Sequence, residues 1–190
     1  GIAVLHTGLN LVAKRPQARA VLEEFMRTDM AEGCTLWSPD EAARHAPELR
    51  LDGAQAVLHS TAELRVESRQ AIAQLTAWLA ERHGVTFRFG EAVLEVATPR
   101  VRTARATLHA ERVVVCTNAD IHGLYRELFA RHEVRLCQLQ MLRVKPQPGL
   151  KLQSSVMGDL SLVRYLGYSE LPAAQPLLAQ LRQEEGESLA

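Results

Sequence analysis

Ala110-Glu111-Arg112-Val113-Val114-Val115-Cys116-Thr117-Asn118-Ala119-Asp120 is the stretch on which the fold turns. From Val113 to Cys116 the run is apolar without alternation, the pattern of a strand buried on both faces, and a parallel sheet is its natural host. It passes directly into a helix expected from about Ala119 to Ala130, with Leu124, Leu128 and Phe129 inward. Loops at the carboxyl ends of parallel strands are where α/β sheets bind ligands, and the N–H groups that open the next helix favour phosphate. Asn118 suits so tight a turn, because Asn tolerates the left-handed conformation better than other non-glycine residues. An ordinary strand-to-helix turn capped by Asn has the same spacing, so the motif by itself leaves both readings open.

Upstream, Glu67 to His83 places Ala71, Ile72, Leu75, Trp78 and Leu79 on one face and stops at Gly84, which predicts a helix. Val85-Thr86-Phe87-Arg88-Phe89 alternates with period two, Gly90 breaks it, and Ala92 to Val96 continues as a second strand. Thr98 to Ala110 predicts short antiparallel strands around Ala104-Arg105. Nearer the start, Ile2 to Ala13 reads as a strand with a bend at Thr7-Gly8, and Pro16 to Glu32 as an amphipathic helix that Gly33 ends. Ser38-Pro39-Asp40-Glu41 carries the cap, the first-turn proline and the Glu of a capping box, predicting a short helix to about His45. Gly53 to His59 reads as a strand and Thr61 to Val66 as a connecting loop. Downstream, Val134 to Val144 predicts one long strand closed by Pro146 and Pro148. Ser155 to Tyr168 predicts a hairpin turning at Gly158-Asp159, and Pro172 to Glu185 a terminal helix followed by a solvated tail over 184–188.

Lys plus Arg equals Asp plus Glu at 22 each, so no net field draws the chain to nucleic acid or to an anionic membrane. No apolar run reaches the roughly 18–20 residues of a membrane span, and the start lacks the pattern of a signal peptide, so a cytoplasmic protein is expected. Cys34, Cys116 and Cys137 are too few and too widely spaced for a disulfide framework or a zinc site, and two of them lie in strand-like runs where a buried free thiol is the ordinary expectation. The seven histidines show no metal-ligand spacing; His59, at a strand end, is a candidate for lining a pocket. Trp37 and Trp78 are expected to pack. Gly1-Ile2-Ala3-Val4-Leu5 opens without Met and reads as a strand in progress, which suggests a fragment.

Three stretches together resemble the superfamily of FAD enzymes that includes D-amino-acid oxidase, glycine oxidase and sarcosine oxidase. They are Glu63-Leu64-Arg65-Val66-Glu67-Ser68-Arg69 before a long helix, Gly84 to Val93, and Ala110 to Asp120. The likeness covers roughly Ser38 to Pro148. Cys137-Gln138-Leu139-Gln140-Met141-Leu142-Arg143 is similar to a subgroup linked to aminophosphonate breakdown. The resemblance implies an α/β fold in which a mixed-sheet substrate domain with flanking helices (1–62 and 133–190) interleaves with part of a Rossmann-like FAD-binding domain (63–132). It implies that backbone at Val93, Cys116 and Thr117, with the turn residue Asn118, contacts the adenosine and pyrophosphate of FAD. It also implies that Gln140, Arg164 and Tyr165 face a small amine or amino-acid substrate, where a guanidinium matches a carboxylate or phosphonate. No residue is singled out as catalytic.

Two departures qualify that resemblance. Asn118 stands where the family's cofactor turn usually has glycine, and no G-x-G-x-x-G loop occurs in the sequence, so the chain alone is expected to bind FAD poorly. Two other classes fit the residues: a small-molecule binding domain that uses the Cys116–Asp120 turn for a nucleotide or phosphate, and an interaction module built on the helix at Pro16 to Glu32.

Overall fold

A computed structural model describes residues 1–184 and 186. In chain order the elements are β1 (Val4–Ala13), α1 (Pro16–Phe25), β2 (Cys34–Trp37), α2 (Pro39–His45), β3 (Ala56–Val66), α3 (Ser68–His83), β4 (Val93–Ala97), β5 (Arg100–Thr103), β6 (Thr107–His109), α4 (Arg126–Arg131), β7 (Ser155–Met157), α5 (Ser161–Arg164), α6 (Leu166–Ser169) and α7 (Ala174–Glu184). The chain is mixed α/β and divides into two compact units, Gly1–Leu75 with Pro146–Ala190, and Thr76–Lys145.

In the first unit a mixed sheet runs in the order β2-β3-β1-β7, antiparallel except where β7 joins β1 in parallel. Pleating sends alternate residues to opposite faces. Leu11, Ala13 and Leu58 meet Val21 and Leu22 of α1, Leu162 of α5, and Leu177 and Leu181 of α7, all buried. On the other face Val12 and Val57 pack with Ala42 of α2. Each fully buried Leu or Val contributes roughly 1.5–3 kcal/mol relative to exposure. The bend expected in β1 falls at Gly8, whose φ is +80°, and a Cβ there would stand 2.8 Å from the Ser60 carbonyl oxygen, so only glycine fits.

Local chemistry positions the helices. The Ser38 hydroxyl accepts from the Glu41 N–H at 3.3 Å and the Glu41 carboxylate accepts from the Ser38 N–H at 2.8 Å, the capping box expected for α2. The Ser38 hydroxyl also donates to the Glu41 carboxylate at 2.7 Å, and that bond first, with the Ser38 N–H second, holds the Glu41 carboxyl below its usual range. The Arg15 guanidinium joins Asp159 and Glu184, each at 2.7 Å, while the Lys14 N–H donates to the second Asp159 oxygen at 2.9 Å. The start of α1, the loop before α5 and the end of α7 are thereby tied together.

Several expectations are corrected in this unit. Thr61 to Val66 is not a loop: β3 continues to Val66, because the first half of β1 pairs with it across two register shifts. The first helix stops at Phe25, where the Thr28 hydroxyl and N–H both donate to the Phe25 carbonyl, and a 3-10 turn at Asp29–Ala31 follows. Ser155 to Tyr168 is no hairpin. After β7, Asp159 is captured by Arg15 and the Lys14 N–H, the Leu162 N–H bonds back to the Asp159 carbonyl, and Leu162 is buried against α1 and α7. The terminal helix forms as α7, and most of the tail expected over 184–188 lies outside the described residues.

The second unit carries one antiparallel meander, β4-β5-β6. The turn expected at Ala104-Arg105 is present. The Thr103 hydroxyl accepts from the Arg105 and Ala106 N–H groups and donates to Glu91, whose carboxyl is held below its usual range first by Arg88 and then by Thr103. Gly84, at φ +65°, ends α3, and the Val85 N–H reaches the Leu79 carbonyl at 3.2 Å. Other expectations fail here for one reason: a strand needs a ladder partner. Val85–Phe89 joins no strand, and Phe89 already lies in the turn at Gly90, its ring stacked on Phe87 at 5.7 Å. Arg112–Cys116, expected to be buried on both faces, joins neither sheet, and Val114 is 87% exposed. Val134 to Val144 is likewise unpaired and exposed. The helix expected from Ala119 is confined to α4, because the Asp120 side chain takes the Gly123 N–H at 2.9 Å and closes a separate turn. Cys116 and Cys137 are exposed rather than buried. Trp78 is about half exposed, whereas Trp37 packs beside Val12 and Val57.

Candidate functional site

The apolar run at Val113–Val115 runs past β4 and β5, and the two stretches line an open hollow of about 330 Å³. Valines from both sides make its walls, and Val93, Cys116 and Thr117 line it together with Asp120. Three of the four residues that the sequence marked for the cofactor therefore share one hollow. Asn118, the fourth, is at the turn with φ 52°, the left-handed conformation expected of it.

The lining decides which part of a dinucleotide suits it. Valine walls suit a flat heteroaromatic ring, and the Thr117 hydroxyl and Asp120 carboxylate suit ribose hydroxyls. No Lys or Arg lines the hollow, and a carboxylate beside a pyrophosphate is repulsive. The Asp120 and Ile121 N–H groups are already bonded to the Thr117 and Ala119 carbonyls, and α4 begins only at Arg126 and runs six residues. The residues present thus fit the adenosine end of FAD and do not fit its pyrophosphate.

The substrate-side candidates fall in different units. Gln140 is exposed in the unpaired segment of the second unit, whereas Arg164 closes α5 and Tyr165, 53% exposed, follows it in the first.

The first unit holds a polar constellation that spacing did not reveal. His59 Nδ1 lies 2.9 Å from Asn10 Oδ1, and Asn10 Nδ2 donates to Ser154 Oγ at 2.7 Å. Asn10 is 2% exposed, and the His59 ring stacks on Trp37 with centroids 4.4 Å apart and planes 9° apart. These residues are 49 and 144 positions apart in the chain, so only the strand register unites them. His59 at a strand end was the single clue. Among the described residues no cluster of His, Cys, Asp or Glu is arranged to hold a metal, and no helix is long and apolar enough to cross a membrane.

Comparison with known proteins agrees with the fold. The crystal structure of L-proline dehydrogenase from P. horikoshii superposes with a TM-score of 0.60 at 15% identity, over 83% of this chain and 44% of that one. Glycine oxidase from Geobacillus kaustophilus superposes with a TM-score of 0.52 at 20% identity, over 71% of this chain and 36% of that one. The chain spans less than half the length of either. No curated protein matches it. At these identities the structural likeness speaks for the fold alone, but the family model DAO, described as FAD dependent oxidoreductase, matches residues 2–169. The chain belongs to the DAO family of FAD-dependent oxidoreductases.

Proposed function

We propose that this chain is part of a longer flavoprotein that oxidises a small amine or amino acid, with aminophosphonates as the first substrate class to test. The observation that carries the reading is the family match over residues 2–169, and the hollow lined by Val93, Cys116 and Thr117 supports it. In this reading, residues 1–62 and 133–190 belong to a substrate domain and 63–132 to the FAD-binding domain. Val93, Cys116, Thr117 and Asn118 hold the adenosine end, and Gln140, Arg164 and Tyr165 face the substrate. When bound, FAD would supply the hydride acceptor for the carbon next to the amine nitrogen of the substrate. The chain's own contribution is to bind and orient: an apolar slot for the adenine, and a guanidinium for an anionic end of the substrate.

Apolar faces without cover support a longer protein. In the second unit Leu139, Met141 and Leu142 are 71%, 85% and 89% exposed, a density of bare apolar surface that marks an interaction face. The test compares visible spectra of this chain and of the product of the complete reading frame. A yellow long product that bleaches with an amine, beside a colourless short chain, supports the proposal; a long product without flavin overturns it.

A further inference from the structure

Across the mixed sheet of the first unit, Thr35, His59, Asn10 and Val156 stand in one row, since Thr35 pairs with His59, His59 with Asn10, and Asn10 with Val156. Directly opposed residues share a face, and this one is the face that α2 covers at Val12 and Val57. At the two ends of the row the cover thins, with Thr35 exposed and Val156 45% exposed, whereas Asn10 between them is 2% exposed. His59 is half-buried there and held on two sides. Asn10 takes its Nδ1, Trp37 stacks on its ring, and Gly8 leaves room beside its Cε1, where a Cβ would stand 3.5 Å away.

The bonding order fixes what His59 offers. Asn10 donates through Nδ2 to Ser154, so it turns its carbonyl oxygen to His59, and that oxygen can only accept. His59 Nδ1 therefore carries the proton, and in the neutral ring the lone pair is on Nε2. Nε2 has no partner among the described residues. A buried amide and a hydroxyl thus hold an imidazole whose acceptor nitrogen is left without a protein partner, which is how a ligand-contacting side chain is pre-organised.

We propose that His59 Nε2 accepts a hydrogen bond from the amine of the substrate, with Asn10 and Ser154 as its positioning residues. This rests on the reading of the whole protein as an amine-oxidising flavoprotein. An amine has N–H groups to donate in either protonation state, so neutral Nε2 recognises it over the corresponding hydroxy or deamino compound, which offers fewer donors or none.

The test uses the full-length flavoprotein and two variants with opposite predictions. His59→Asn sets an amide nitrogen where Nδ1 was, keeps the bond to Asn10 and removes Nε2. His59→Gln reaches the Nε2 position with an amide oxygen and gives up the bond to Asn10. The expected result is a KM for the amine raised about tenfold in His59→Asn with kcat within about twofold, partly recovered in His59→Gln. Binding of the deamino analogue, read from the flavin spectrum, stays unchanged in both. Should His59 only brace the sheet, the order reverses: His59→Asn behaves as wild type and His59→Gln loses thermal stability, which overturns the proposal. A wild-type protein that bleaches with no amine overturns the functional reading beneath it, and this assignment falls with it.

Discussion

The two compact units of this chain carry similarly apolar stretches and do different things with them. Gly1–Leu75 with Pro146–Ala190 buries Leu11, Leu22, Leu58, Leu162, Leu177 and Leu181 to 1% exposure or less. In Thr76–Lys145 the one residue among those described that is buried at all is Thr103, at 7%. An apolar sequence states which side chains favour cover; the fold decides whether cover is present. The first unit covers the centre of its sheet with helices on both faces, while Leu64 and Leu166 at its periphery stay 63% and 70% exposed. The second has a three-stranded meander and apolar segments whose partners, in the proposed reading, belong to the rest of the flavoprotein.

That contrast breaks most directly under truncation of matched leucines. Leu58→Ala, at the centre of the first core, is expected to lower stability by about 3–5 kcal/mol, as lost burial and a residual cavity add. Leu142→Ala, at a residue 89% exposed, is expected to change it by about 0.5 kcal/mol or less. Denaturant unfolding of this chain measures both. A large loss at Leu142 would mean that the second unit buries that side chain after all. In the full-length protein the same Leu142→Ala should become costly if other segments cover it, and that difference between the two lengths sharpens the comparison further.

A smaller effect tests what closes the first unit. Asp159 has a side chain 4% exposed and bonds to Arg15 and to the Lys14 N–H, while the Arg15 pKa is raised, first by Asp159 and then by Glu184. Removing one member of a largely buried pair leaves the other charge without compensation. Arg15→Ala is expected to destabilise the chain by about 2–3 kcal/mol, read as a lower denaturation midpoint. A matching change at Arg50, whose pairing with Asp52 at 2.6 Å leaves both side chains at least 75% exposed, should leave the midpoint almost unmoved. Equal effects would show that the Arg15 network adds nothing beyond a surface pair.

Local chemistry was legible in the sequence, and long-range cover was not. The capping box at Ser38–Glu41, the stop of α3 at Gly84 and the turn at Ala104-Arg105 each depend on residues within a few positions, and each stands as expected. Val113–Cys116 and Val134–Val144 carry the strand pattern as clearly, but a ladder partner is a property of another segment, and neither run has one here. Between Ser155 and Tyr168 the apolar spacing at Leu160, Leu162 and Val163 fits a strand or a helix. The decision came from Asp159 binding residues 144 and 145 positions away. The site divides the same way. The turn after Cys116 was visible because its residues are adjacent, whereas the Asn10–His59–Ser154 linkage exists only once β1, β3 and β7 are in register.

The smallest expected effect concerns Tyr168, which lies on the rim of the first core with its ring 4.6 Å from Phe25. Burial, with added repulsion from Cys34 and Glu63, pushes its phenol up from 10.0 to about 12. A raised pKa in the folded state means that the unfolded chain loses the proton first as pH rises. The contribution of this residue is therefore complete below pH 10 and is lost progressively between pH 10 and about 12. Because the ring is only part-buried, water screens the phenolate and the change is modest. Thermal unfolding across that window should show a decline in the wild type that is shallower in Tyr168→Phe, which keeps the ring against Phe25 and removes the titrating oxygen. Identical slopes in the two proteins would mean that the phenol is as well hydrated in the folded chain as in the unfolded one, and that the core of the first unit ends before it reaches Tyr168.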